Sequence, residues 1–166
     1  VSSDEHSVME MVRHEGRETA YRRVGDSGVL YVHGSGAAHN VWVNQYARDG
    51  GSVAVDLSGH GRSDDIETPA GPETLAAYGE DVAAVARQTG ADVIVGNSLG
   101  GAVAQHVVLE HDLPLSGVVL VGTGPVLSVD ESLDSLLAEH FEKATEVLHR
   151  PDLLFHDADP ATLRES

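Results

Sequence analysis

Residues 96–101 read Gly-Asn-Ser-Leu-Gly-Gly, directly after the apolar run Val93-Ile94-Val95. A serine hydroxyl is a poor nucleophile until a base takes its proton, and acyl chemistry also needs hydrogen-bond donors where the oxyanion develops. The spacing G-x-S-x-G gains meaning when a strand precedes it and a helix follows. In so tight a turn the serine backbone is strained and its Oγ is pushed out above the sheet. Side chains at Gly96 and Gly100 would collide, while Gly101 allows a helix to pack closely on the sheet. The first amides of the following helix then point at whatever sits on Ser98, which suits a developing negative charge. A second glycine-rich stretch, Val32-His33-Gly34-Ser35-Gly36, also ends an apolar run, where a backbone N–H is placed to complete an oxyanion hole.

Other chemistries find less support. Gly34-Ser35-Gly36 and Gly122-Thr123-Gly124 do not complete G-x-G-x-x-G, and G-x-x-x-x-G-K-[ST] is absent, which argues against a nucleotide site. The chain has 10 histidines. It has no H-E-x-x-H, and His106 and His111 stand five apart, off one helical face. His156-Asp157-Ala158-Asp159 reads as a solvated acidic loop. No metal and no organic cofactor is expected.

The elements that must position Ser98 follow from hydropathy. Val29–Val32, Val53–Val55, Val93–Val95 and Val118–Val121 are valine-rich and apolar on both faces, as strands of a covered parallel sheet are. Between them, 40–48 reads as a short helix. Residues 73–88 read as a longer one, with Pro72 at its first position and Leu75, Val82, Val85 and Ala86 on one buried face. Residues 102–110 read as a third. Alternating strands and helices make an α/β fold. Upstream, Val8–Val12 and Thr19–Val24 read as two strands around a turn at Gly16, an antiparallel start to the sheet. Downstream, Ser128-Val129-Asp130-Glu131 has the form of a capping box. It opens an apolar stripe through Leu133, Leu136, Leu137, Phe141, Ala144, Val147 and Leu148 that predicts a long amphipathic helix ending at Arg150-Pro151.

The 166 residues suit one sizeable core. No apolar stretch is long enough to span a membrane, no signal-peptide pattern opens the chain, and there is no cysteine, so a cytoplasmic protein is expected. Asp and Glu number 27 against 10 Lys and Arg, a formal charge of −17, and Lys143 is the one lysine. Such a surface repels phosphate backbones and disfavours nucleic acid. Its self-repulsion is screened by salt over a Debye length of about 3 Å at 1 M, so the composition reads as that of a salt-adapted, halophilic protein.

A strand ending in HGSG (33–36), then DLSGHGRSD (56–64), then GNSLGG (96–101), in that order, resembles the α/β-hydrolase superfamily, in its esterase/lipase-like or C–C hydrolase-like branches. The resemblance covers about residues 8–125. It implies an α/β-hydrolase fold, a mostly parallel sheet flanked by helices, with a core over 1–125 and the start of a helical cap over 126–166. It makes Ser98 the catalytic nucleophile and the backbone N–H groups of Leu99 and Ser35 the oxyanion donors, supported by His33, Gly34, Gly36, Gly96, Asn97 and Gly100. His33 and His60 are then expected to orient their loops by hydrogen bonds. A small-molecule carboxylic ester is the implied substrate, with perhydrolysis and C–C cleavage as related reactions on the same elbow.

In this superfamily the acid and then the histidine follow the serine on loops after later strands. After GTGP (122–125) no such strand is read, so the chain corresponds to the N-terminal two-thirds of a hydrolase. His140, His149 and His156, with Asp157 and Asp159, lie in or after the cap-like helix and are poor substitutes. Thr123 occupies the place of an alternative acid. Loss of the base in such a machine lowers kcat by about 10⁶, so this length alone is expected to be nearly inactive. Val118–Val121 is expected to present an open sheet edge through which the chain self-associates. A non-catalytic binding or regulatory member of the same fold is the alternative.

Overall fold

The computed structural model describes residues 7–26, 28–46, 51–126 and Ser135. Residues up to Pro125 belong to one compact unit and Val126–Ser166 to a second, of which only Val126 and Ser135 are described. The amphipathic helix expected over 130–150 therefore lies outside the described residues.

Six strands form one sheet: β1 (Ser7–His14), β2 (Arg17–Gly25), β3 (Val29–Val32), β4 (Gly51–Val55), β5 (Val93–Asn97) and β6 (Gly117–Val121), in the spatial order β1-β2-β4-β3-β5-β6. The first two pair antiparallel around the Glu15–Gly16 turn, and β2 pairs antiparallel with β4. The other pairings, β4 with β3, β3 with β5 and β5 with β6, are parallel. The sheet is the mostly parallel one that the valine runs predict, with the antiparallel hairpin at its edge.

The three helices predicted between the core strands form, with shifted boundaries. The short one is a 3₁₀ turn, His39–Trp42, running into a single turn α1 (Val43–Tyr46). Helix α2 (Pro72–Thr89) starts with Pro72 in its first turn and stops at Gly90, whose φ of +75° lets its amide return to the Ala86 carbonyl. Helix α3 starts at Leu99, three residues before the apolar pattern suggests, and runs to Glu110. The turn after β5 is so abrupt that Ser98 itself is the residue before the helix.

Strand register divides the core between two faces. Leu30 lies beside Val53 and Ile94, and these pack with Val82, Val85, Ala86, Val103, Ala104 and Val107 of α2 and α3. Tyr31 lies beside Ala54 and Val95, on the other side of the pleat, and meets Trp42, whose ring centroid is 4.8 Å away. Successive side chains of a strand point to opposite faces, so a single alternation feeds both clusters.

Candidate active site

Strand β5 delivers Ser98 to the C-terminal edge of the parallel strands, and α3 leaves from it at the next residue. Ser98 has φ +50° and ψ −116°, and it shares a positive φ only with Glu15 among the described non-glycine residues. A non-glycine residue in this sparsely populated region is strained by about 1–3 kcal/mol and persists only where its surroundings impose it. Here they do. The Ser98 amide donates to the Val121 carbonyl at the end of β6 (2.9 Å), and its own carbonyl accepts from Gly101 (2.9 Å) and Ala102 (3.2 Å) in the first turn of α3.

The glycines around the serine are required by close backbone approach. A Cβ on Gly96 would run into the Gly100 carbonyl, as the collision argument expects. A Cβ on Gly100 would strike the carbonyls of Val32 and His33 instead, so this glycine lets α3 settle against the end of β3. Gly101 faces the Thr123 side chain, which fills the space just after β6. Gly34 closes over the site: a Cβ there would lie 3.4 Å from Ser98 Cβ and 3.6 Å from Asn97 Oδ1. Thus Ser98, Leu99, Asn97 and the HGSG loop meet at one place. Neither the Leu99 nor the Ser35 amide has a partner among the described residues. Ser98 and Leu99 are half-buried and Ser35 is exposed.

The HGSG loop is held by the loop after β4. His33 is fully buried, with Nδ1 2.7 Å from the Gly34 carbonyl and Nε2 accepting the Leu57 amide at 3.1 Å. Burial pushes its imidazole down to about 4, so both of its nitrogens serve the scaffold at neutral pH. His60 is half-buried beside it, ring centroids 5.0 Å apart. The expectation that these two histidines orient loops agrees with these contacts.

Sequence reasoning missed the residues that anchor this scaffold. Asp56, fully buried at the end of β4, accepts the His39 amide (2.7 Å) and His39 Nδ1 (2.9 Å) on Oδ1, and the Arg62 amide (3.1 Å) on Oδ2. Burial alone would raise its carboxyl, but the hydrogen bonds from the His39 ring and from the His39 and Arg62 amides outweigh it and hold it below the usual aspartate value. Asp81 on α2, also fully buried, accepts from Arg17 Nη2 (3.1 Å), Thr19 Oγ1 (3.0 Å), Ser58 Oγ (3.0 Å) and the Ser58 amide (2.8 Å). It joins the β1–β2 hairpin to the loop that carries His60. A buried carboxylate needs such pairing. A signal was present: Asp81 interrupts the apolar stripe of α2 between Tyr78 and Val82.

No described side chain hydrogen-bonds Ser98 Oγ. His140, His149, His156, Asp157 and Asp159 lie outside the described residues. His111 is corrected in one respect: it stands just past α3 in extended backbone, so the helical-spacing argument does not apply to it, and its ring comes within 6.1 Å of the His106 ring. Among the described residues no three potential metal ligands come together. No described helix is long and apolar enough to cross a membrane.

A parallel sheet with an antiparallel hairpin at its edge, a strained serine between strand and helix and a glycine loop over it define an α/β-hydrolase architecture. Residues 29–165 match the alpha/beta hydrolase family, and the chain belongs to it. It is 30% identical over 154 residues to lipase LipV of Mycobacterium tuberculosis (strain ATCC 25618 / H37Rv), covering 86% of this chain and 58% of the lipase. Among solved structures, a thermophilic esterase superimposes with a TM-score of 0.74 at 32% identity, over 86% of this chain and 55% of its own. The esterase EaEST from Exiguobacterium antarcticum, at 20% identity, shares the fold with a TM-score of 0.79 over 95% of this chain and 65% of its own. The chain thus spans a little over half the length of the lipase and the thermophilic esterase.

Proposed function

We propose that this chain carries the nucleophile half of a serine hydrolase acting on carboxylic esters of small molecules. Ser98 Oγ attacks the ester carbonyl carbon, the C–O bond to the alcohol breaks, and water then releases the acid from the serine. The amides of Leu99 and Ser35 donate to the oxyanion formed in each half. The imidazole that takes the Ser98 proton, and the acid that orients it, come from outside the described residues. The observation that carries this reading is the Ser98 backbone, at φ +50° and ψ −116°, with Gly34 closing over it. Strain of that kind at a half-buried serine is what a positioned nucleophile requires. The lipase and esterase relatives point to the same reaction class.

The remaining parts of the reading follow from composition and topology. The charge of −17 marks adaptation to salt. The β6 edge is the place for self-association. The test is labelling by a fluorophosphonate probe in molar salt on the full-length protein. The expected result is one covalent adduct, on Ser98, abolished in Ser98→Ala. An unlabelled protein, or equal labelling of Ser98→Ala, overturns the assignment and favours a non-catalytic member of the family.

A further inference from the structure

The two glycine loops beside the elbow are fastened to each other by histidines in a reciprocal way. His33 belongs to the loop after β3 and accepts the amide of Leu57, in the loop after β4, on Nε2 at 3.1 Å. His60 belongs to the loop after β4 and accepts the amide of Gly36, in the loop after β3, on Nε2 at 3.4 Å, the long end of hydrogen-bond range. The tautomers follow from the partners. On each ring Nδ1 faces a carbonyl, Gly34 O at 2.7 Å for His33 and Ser58 O at 3.0 Å for His60. A carbonyl can only accept, so Nδ1 carries the proton and Nε2 keeps the lone pair. Both Nε2 atoms then face an N–H, an arrangement open only to a neutral imidazole.

We propose that His33 and His60 form a clasp that positions the Ser35 amide over Ser98, and that protonation of either ring opens it. Ser35 lies between Gly34, which His33 holds, and Gly36, which His60 holds. The role of that amide rests on the oxyanion reading above, whereas the clasp itself does not. A protonated ring turns its Nε2 acceptor into a donor pointed at another donor, and the crosslink becomes repulsive. The groups facing His33 are His60, His39 and Asp56; those facing His60 are His33 and the edge of Tyr78, 6.0 Å away. Burial opposes protonation of His33 most strongly, joined by the two neighbouring histidines, while the hydrogen bond to the Gly34 carbonyl and the charge of Asp56 favour it. His39 adds a third crosslink, donating from both its amide and its ring to Asp56, and a donor keeps that role in either charge state. Acid thus releases two of the three fastenings and leaves the third.

The clasp is tested by NMR on this chain with ¹⁵N-labelled histidine. Both rings are expected as Nδ1–H tautomers at neutral pH, and on acidification the Gly36 amide shift should follow the protonation of His60. His60→Ala should lower the protection of the Gly36 amide about tenfold at neutral pH while Leu57 stays protected. His60→Gln, whose Oε1 can accept the same N–H, should restore that protection and remove its acid sensitivity. An Nε2–H tautomer at His60, or a Gly36 amide indifferent to both acid and His60→Ala, overturns the clasp. The positioning role is read on the full-length protein. There, His60→Ala should lower kcat for ester hydrolysis at least tenfold with KM little changed, and His60→Gln should recover it; an unchanged kcat in His60→Ala overturns that role. Should Ser98 fail to react with the fluorophosphonate, the oxyanion reading falls while the NMR result still decides the clasp.

Discussion

The two faces of the sheet are finished to different degrees, although the same four parallel strands build both. On the face covered by α2 and α3, Leu30, Val32, Val53, Val55 and Ile94 are essentially sealed from solvent. On the opposite face Tyr31 and Ala54 are buried under Trp42, and Val29 and Val95 are half-buried; toward β6 the cover thins on both faces, with Val119 and Val121 49% and 42% exposed on this one and Leu120 45% exposed on the other. The elbow belongs to the sealed face. Gly96, Gly100 and Gly101 are the points where α3 approaches the strands and the β6 loop most closely. Half of the site's geometry, the strained serine and its amides, thus follows from one well-packed face and does not wait on the other.

That asymmetry can be broken or sharpened by substitution. The largest effect is expected from Gly100→Ala, whose methyl group has nowhere to go but the Val32 and His33 carbonyls. Overpacking of backbone should lower stability by more than about 3 kcal/mol, read as loss of a cooperative thermal transition. Ile94→Ala on the sealed face should follow at about 2–5 kcal/mol in urea unfolding. Val95→Ala, its neighbour in sequence on the other face, should cost roughly 1 kcal/mol; equal costs for the two would remove the comparison.

Acid offers a third probe, because His33 is sealed in as a neutral ring. Its value falls from 6.5 to about 4 on folding, owing to burial. Between those values the unfolded chain takes up a proton that the folded chain does not, so stability is lost as pH falls from about 6.5 to 4. A shift of that size amounts to roughly 3 kcal/mol, less the contributions of other groups, and is checked by urea midpoints across the window. The Asp56 contribution lies lower, being lost only as pH falls through its depressed range. The smallest stability effect, under about 0.5 kcal/mol, is expected for Val119→Ser on the open face. The same substitution should reduce self-association, measured as apparent mass by light scattering in high salt. An unchanged mass would place the contact elsewhere.

Much of this was legible in the residues, and for identifiable reasons. Valine runs without alternation read as strands, and each appears where expected, although Val118–Val121 is left largely uncovered. The G-x-S-x-G pattern located the elbow because Gly96 meets the Gly100 backbone within five residues of chain, although Gly100 itself is required by Val32 and His33 at the end of β3. The start of α3 lies three residues earlier than the apolar pattern suggests because Leu99-Gly100-Gly101 lacks the look of a helix; its glycines are there because Val32, His33 and Thr123 leave room for nothing larger. Asp56 and Asp81 were passed over because a buried carboxylate looks like any other acidic residue until its donors are known. Those donors come from far along the chain: His39 for Asp56, and Arg17, Thr19 and Ser58 for Asp81.

The sequence by itself determined the order of elements, the elbow at Ser98 and the family to which the chain belongs, since all three rest on contacts within a few residues or on hydropathy along a strand. Only the tertiary structure decided which histidines face which amides, which face of the sheet is sealed, and why His33 stays neutral. Those properties depend on burial and on hydrogen bonds between loops some 20 residues apart, and no local pattern encodes the distance between them.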